Sequence, residues 1–164
     1  ADMRERRGVL AGGAIGATER ETIDRSLAAA SAARAAGRLM YPPGESAWDL
    51  YRRVLAIEPA NPAARAGMAE LPAAARQLFE QAMAGNRVSA ARGYVEGLET
   101  LSPGDAALPA MKKRLAAALL GYAAERLGAG EVARASEALL QASELDPTHP
   151  DIASLRARLD QVPR

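Results

Sequence analysis

The sequence predicts an all-α chain built of helix-turn-helix repeats, about three hairpins with a 44-residue period, closed by a C-terminal capping helix. Three observations predict it. First, aromatic residues make up only 4% of the chain, and Ala supplies as much of its apolar content as all other apolar residues together, in runs such as Ala28-Ala29-Ala30, Ala73-Ala74-Ala75 and Ala116-Ala117-Ala118. Ala has the best intrinsic helix propensity and little bulk, whereas strands draw on the β-branched and aromatic residues that are scarce here. Second, the phrases Ala56-Ile57-Glu58-Pro59, Thr100-Leu101-Ser102-Pro103 and Glu144-Leu145-Asp146-Pro147 place prolines at 59, 103 and 147, spaced by 44 residues each time. Third, the same shift superposes apolar positions: Ala47 on Ala91 and Ala135, Tyr51 on Val95 and Leu139, Ile57 on Leu101 and Leu145, Leu71 on Leu115 and Leu159. Apolar character is kept while the polar residues between vary, which is the signature of a structural repeat.

Each element follows from local signals. Residues 1–17 open with Arg4, Arg6 and Arg7 ahead of Gly8-Val9-Leu10-Ala11-Gly12-Gly13. A basic patch before small apolar residues has the outline of a signal peptide, but this run is too Gly-rich and too weakly hydrophobic for one. It is expected to be a flexible or loosely packed arm, leaving 18–164 as the helical-repeat domain. At this length one cooperative unit is expected. A first helix is predicted over 18–36, ending at Gly37, and a second over 45–58. Between them Met40-Tyr41-Pro42-Pro43-Gly44-Glu45 is inserted, and its consecutive prolines call for extended backbone. Positions 47, 51, 54 and 57 fall on one face of the second helix. Pro59 stops it, and Asn61-Pro62 starts a long third helix over 62–84 with an irregularity possible at Pro72. The turn Ala84-Gly85-Asn86-Arg87 leads to a helix over 88–101. Asp105 after Gly104 starts one over 105–127, and Gly128-Ala129-Gly130 leads to one over 131–144. Thr148 with Pro150 and Asp151 starts the cap over 150–161.

These second helices carry the spacing of a known family. Ala135, Leu139, Ala142 and Pro147 reproduce the small, large, small, proline pattern of the second helix of tetratricopeptide repeats, and Ala91, Val95, Leu98, Pro103 and Ala47, Tyr51, Val54, Pro59 follow it with a larger third residue. The chain thus resembles a tetratricopeptide-repeat-like (TPR-like) protein from about residue 18 to 159. It departs from the family in its period, which is 34 residues there; the additional residues must lengthen the first helix of each pair. The usual first-helix aromatics are also mostly missing, Phe79 and Tyr122 being the nearest equivalents. The resemblance implies a concave groove for a protein or peptide partner, with Arg76, Glu80, Met83, Lys113 and Ala117 near it. The segment 38–59 is also similar to segments of repeat-bearing, membrane-tethered bacterial envelope and signalling proteins, which implies a periplasmic or membrane-tethered location over a cytoplasmic one.

The chemistry-bearing residues point the same way. Lys and Arg number 21 against 20 Asp and Glu, a net charge of +1, so no global field gathers nucleic acid, and no nucleic-acid partner is expected. There is no Cys and a single histidine, His149, so neither a Cys-His pair nor a multi-imidazole metal site can be assembled. No metal, cofactor or catalytic residue is expected, and His149 reads as a turn residue. No stretch approaches the roughly 20 apolar residues of a membrane helix, so no direct membrane insertion is expected. The run Gly12-Gly13-Ala14-Ile15-Gly16 lacks the Lys-Ser or Lys-Thr of a phosphate loop. In Lys112-Lys113-Arg114 successive side chains diverge by about 100°, although Lys113 and Arg114 can reach a groove. Trp48, the only tryptophan, lies three residues from Tyr51, so the two can sit side by side as satellite core or as an aromatic anchor; Trp48 is the leading recognition candidate.

The functional expectation is an interaction scaffold with no catalytic activity, binding a protein or peptide through Trp48, Tyr51, Arg76, Glu80, Met83, Lys113 and Arg114. The alternatives are a sensor or regulatory domain of a membrane-tethered envelope or signalling protein, and a small-molecule-binding helical domain.

Overall fold

A computed structural model describes residues 15–162. Among the described residues it is all-helical, with no strand: α1 (Ala17–Ala35), α2 (Ala47–Ile57), α3 (Pro62–Ala84), α4 (Val88–Leu101), α5 (Leu108–Gly128), α6 (Val132–Leu145) and α7 (Asp151–Asp160). The arm expected over 1–17 lies almost wholly outside these residues. The bounds of α3 and α4 are those that their start and stop signals predict. Pro72 does not interrupt α3. α5 begins at Leu108 and not at Asp105, because Asp105 closes a tight turn: its carbonyl accepts from Leu108 N at 3.1 Å and its Oδ1 from Ala107 N at 2.9 Å.

The chain divides into two compact units, one ending at Leu71 and the other beginning at Pro72. In the first, α1 packs on α2. Ile23, Ser26, Ala30 and Ala33 are buried from α1, and Ala47, Leu50, Tyr51 and Val54 from α2. Gly67 of α3 lies directly beneath the Tyr51 ring, so closely that an added Cβ would stand 2.5 Å from Cε1 and 2.6 Å from the hydroxyl oxygen. Arg34 pairs with Glu70. In the second unit α5 is central and packs against α4, α6 and α7. Its buried face is Leu108, Met111, Leu115, Ala116, Leu119, Leu120 and Ala123. Phe79 of α3 is fully buried.

The 44-residue recurrence is visible in local conformation. Glu58, Ser102 and Asp146, each 44 apart, end their helices with nearly the same dihedrals (φ −127, ψ 88; φ −151, ψ 77; φ −143, ψ 84). Arg87 and Glu131 enter theirs alike (φ −92, ψ 69; φ −86, ψ 63). Burial recurs too, at 64, 108 and 152, at 67, 111 and 155, and at 91 and 135. The turns after α1, α3 and α5 share one pattern: Arg38 N to Ala33 O at 2.9 Å, Arg87 N to Ala82 O at 2.8 Å, Glu131 N to Arg126 O at 2.8 Å. A left-handed residue completes each, Gly37 (φ 75), Asn86 (φ 52) and Gly130 (φ 77). This is a Schellman-type stop, which satisfies helix-end carbonyls and demands positive φ.

The insertion in the first hairpin leaves that pattern intact. Ala91 N bonds Arg87 O and Ala135 N bonds Glu131 O, each at 3.0 Å; the matching bond, Ala47 N to Arg38 O at 2.9 Å, spans five extra residues. Residues 40–44 therefore form an excursion from an otherwise regular hairpin. Gly44 turns it back at φ 82, where a side chain would be strained. Asp49 Oδ2 accepts from Gly44 N at 2.7 Å and from Ser46 Oγ at 2.8 Å, and Arg53 donates to Gly44 O at 3.4 Å.

Candidate functional site

A helical stack offers a partner two things: clefts between helices and side chains left standing at turns. The second unit contains a cleft of about 790 Å³, lined by the start of α4 (Arg87, Val88, Ser89, Ala90), by α5 and by α6. Helical spacing builds it. On α5, Ala118, Tyr122 and Glu125 follow at intervals of four and three, one stripe beside the buried face. Its floor is Leu119 and Ala138, both buried, with Ala90 and Ala118. The Tyr122 ring is 39% exposed over it, and Arg126 stands over that ring with Cζ 5.2 Å from the centroid. Arg126 also bonds Glu131 at 3.2 Å, so the ring and turn are held together. The rim carries Arg87, Glu125, Arg134 and Glu137. The hydrogen bond from Arg134 to Glu131, 2.6 Å long, raises the Arg134 pKa further above its ordinary value, and its charge is fixed.

The residues expected to line a groove are placed as follows. Arg114 donates a bidentate pair of hydrogen bonds to Glu80, at 2.6 and 2.9 Å, and its guanidinium stands 5.3 Å from the Phe79 ring centre. Those bonds hold the Glu80 carboxyl below its usual pKa and push the Arg114 guanidinium up. Arg76 pairs with Asp105, whose own side chain also caps the turn before α5. Arg76, Glu80 and Arg114 thus serve first to tie α3 to α5 and the turn before it. Arg114 lies one turn before Ala118 on the stripe that lines the cleft, so the clamp borders the cleft without entering it. Met83 is half-buried, and Lys113 is exposed beside a shallower depression with Lys112 and Asp146.

In the first unit, Tyr51 is only 5% exposed. The expectation of Tyr51 as a partner contact is corrected: its ring fills the space that Gly67 leaves, which makes it core. Trp48 is half-buried, with Arg52 Cζ 4.3 Å from its ring centroid. Tyr41, on the excursion, is 61% exposed.

No family model, curated protein or solved structure matches the chain. Among the described residues no group of three or more Asp, Glu, His or Cys is placed to hold a metal ion, and no helix is long and apolar enough to cross a membrane. The cleft around Tyr122 is what sequence reasoning misses. The available signal is the pairing of Tyr122 with Arg126 four residues on, flanked by Ala118 and Gly121, small residues where a packing helix would place bulk.

Proposed function

We propose that the chain is a TPR-like helical-repeat module that binds a segment of another protein, received in the cleft between the start of α4, α5 and α6, and has no catalytic role. The observation that carries this reading is the cleft itself: an apolar floor, one partly exposed aromatic ring held by a guanidinium, and a rim of both charge signs. Peptide sites combine these features, because apolar burial supplies affinity while a charged rim sets register and orientation. The recurrence of turns and buried positions every 44 residues supports the repeat reading. The small, large, small succession of Ala135, Leu139 and Ala142, all buried, supports the family likeness. The charged groups with displaced pKa, Glu80, Arg114 and Arg134, are held in ion pairs, as suits a scaffold that positions side chains.

Selection of binders from a randomised peptide display library, followed by titration of Tyr122→Ala and Ala138→Arg, tests the reading. The first removes the exposed ring and the second fills the floor. Selected peptides are expected to bind the wild-type chain and to weaken about tenfold or more on each variant. Equal binding to both variants, with helicity retained, would refute the cleft.

A further inference from the structure

We infer that the excursion at residues 40–44, with the aromatic and basic side chains beside it on α2, is a second docking surface, and that it fits an acidic segment of a partner protein. The inference rests on the protein-binding reading, but it names a different surface.

Four observations carry it. First, the excursion is not needed to join α1 to α2: the bond between Ala47 N and Arg38 O has direct counterparts at Ala91 and Ala135 in hairpins that lack the extra residues. Second, what it adds is an exposed Tyr41-Pro42-Pro43 segment, with Tyr41 61% exposed. Third, the segment is held in place. Asp49 takes hydrogen bonds from Gly44 N and Ser46 Oγ, Arg53 bonds Gly44 O, and Glu45 N bonds Pro42 O at 3.3 Å. A segment fixed before binding loses less entropy on docking, which is how a short loop becomes useful for recognition. Fourth, the surroundings are basic. Arg38, Arg52 and Arg53 are exposed, and none of them pairs with a carboxylate among the described residues. Of the nearby acids, Asp49 is half-buried and committed to the loop, leaving Glu45 as the exposed one.

Charge complementarity selects the occupant. Arg38 and Arg52, exposed and without acidic partners, call for carboxylates, and the exposed Tyr41 and half-buried Trp48 call for apolar groups on the same segment. Tyr, Trp and Arg are also the residue types that dominate binding hot spots. Arg52 is already aligned over the Trp48 ring, so its guanidinium can meet a carboxylate without reorganising.

Trp48 is the only tryptophan in the chain, so its emission reports events at this surface. The experiment titrates the chain with peptides from the display library, with a single-stranded oligonucleotide and with phosphatidylserine vesicles. Three variants accompany the wild type: Tyr41→Ser, Arg52→Gln combined with Arg53→Gln, and a deletion of residues 40–44. The deletion leaves the hairpin as the other two already are and should keep wild-type helicity. Supporting results are acidic peptides that move the Trp48 emission and lose about tenfold or more in affinity on Tyr41→Ser and on the double variant. Unaltered affinity in those two variants overturns the proposal, as does an emission change produced by the oligonucleotide or the vesicles and by no peptide. Peptides sensitive to Tyr122→Ala but to none of these variants would overturn it and leave the cleft standing. A library that yields no binder would overturn both.

Discussion

Replacing Gly67 by Ala isolates one contact of the first unit with a built-in control. Gly67 lies inside α3, where Ala is favoured over Gly by about 1 kcal/mol in helix propensity. Against that gain, the new methyl would stand 2.5 Å from Tyr51 Cε1 and 2.6 Å from its hydroxyl oxygen, inside contact distance. Tyr51 is 5% exposed, so moving its ring aside gives up buried contact. Overpacking of this kind costs about 1–3 kcal/mol. The net expectation for Gly67→Ala is a loss of about 1 kcal/mol. Gly93 and Gly121 are the controls: both lie inside helices, and a Cβ at either meets nothing within 4 Å. Their Ala variants are expected to gain about 1 kcal/mol. Urea unfolding followed by Trp48 emission reports the first unit, and circular dichroism reports all the helices, which matters where two units need not unfold together. In a Tyr51→Leu background the clash is removed, and Gly67→Ala should turn stabilising. Gly67→Ala that stabilises like Gly121→Ala, or that shows no coupling to Tyr51, would refute the close packing of ring on backbone.

Three further perturbations read other parts of the structure. Phe79→Ala empties a fully buried site in the second unit and should cost about 3–5 kcal/mol by urea unfolding. Asn61→Ala removes an acceptor for Ala64 N, 2.9 Å away, at a buried helix start, and should cost about 1 kcal/mol. Glu80, titrated by carbon-13 NMR, should have its midpoint below the ordinary 4.5, and Arg114→Gln should raise it toward that value. Because the folded-state pKa is the depressed one, the stabilisation from this pair is present above the unfolded-state value and is lost as pH falls through the folded one; high salt should shrink the shift.

Helices were legible where a helix-stopping or helix-starting residue marks them. Pro59 and Pro103 stop helices that would otherwise run on, and Asn61-Pro62 starts α3 at the residue where it begins. The start of α5 was displaced because Asp105 signals both a cap and a turn, and which one prevails depends on the hydrogen bond to Leu108. The ion pairs that α3 makes with α5 and with the turn before it were not legible. Arg76 and Asp105 are far apart in sequence, as are Glu80 and Arg114, and nothing in a charge pattern says which carboxylate a long flexible guanidinium will meet. Trp48 and Tyr51 illustrate the same limit from the aromatic side. Their three-residue spacing permits both core and anchor, and the choice is made by Gly67 on another helix, which opens a slot for one ring and not the other.

The 44-residue repeat also explains the lone histidine, and that explanation can be tested. Asn61, Asp105 and His149 are equivalent positions, and each side chain accepts a backbone N–H at the start of the following helix: Ala64 at 2.9 Å, Ala107 at 2.9 Å and Asp151 at 3.3 Å. His149 is the weakest of the three by distance. The amide oxygen at the equivalent Asn61 reaches its backbone N–H at 2.9 Å, against 3.3 Å for the imidazole nitrogen. His149→Asn should therefore strengthen the cap of α7 without adding a negative charge beside Asp146 and Asp151. A gain of about 0.5–1 kcal/mol is expected, the size of a modest cap improvement. Hydrogen exchange of the α7 amides is the sensitive readout, because terminal helices open locally well below the global unfolding energy. Slower exchange confined to α7 and the turn before it is the expected result. Unchanged or faster exchange there would mean that the 3.3 Å contact is incidental, and that His149 does not serve the capping role its repeat partners fill.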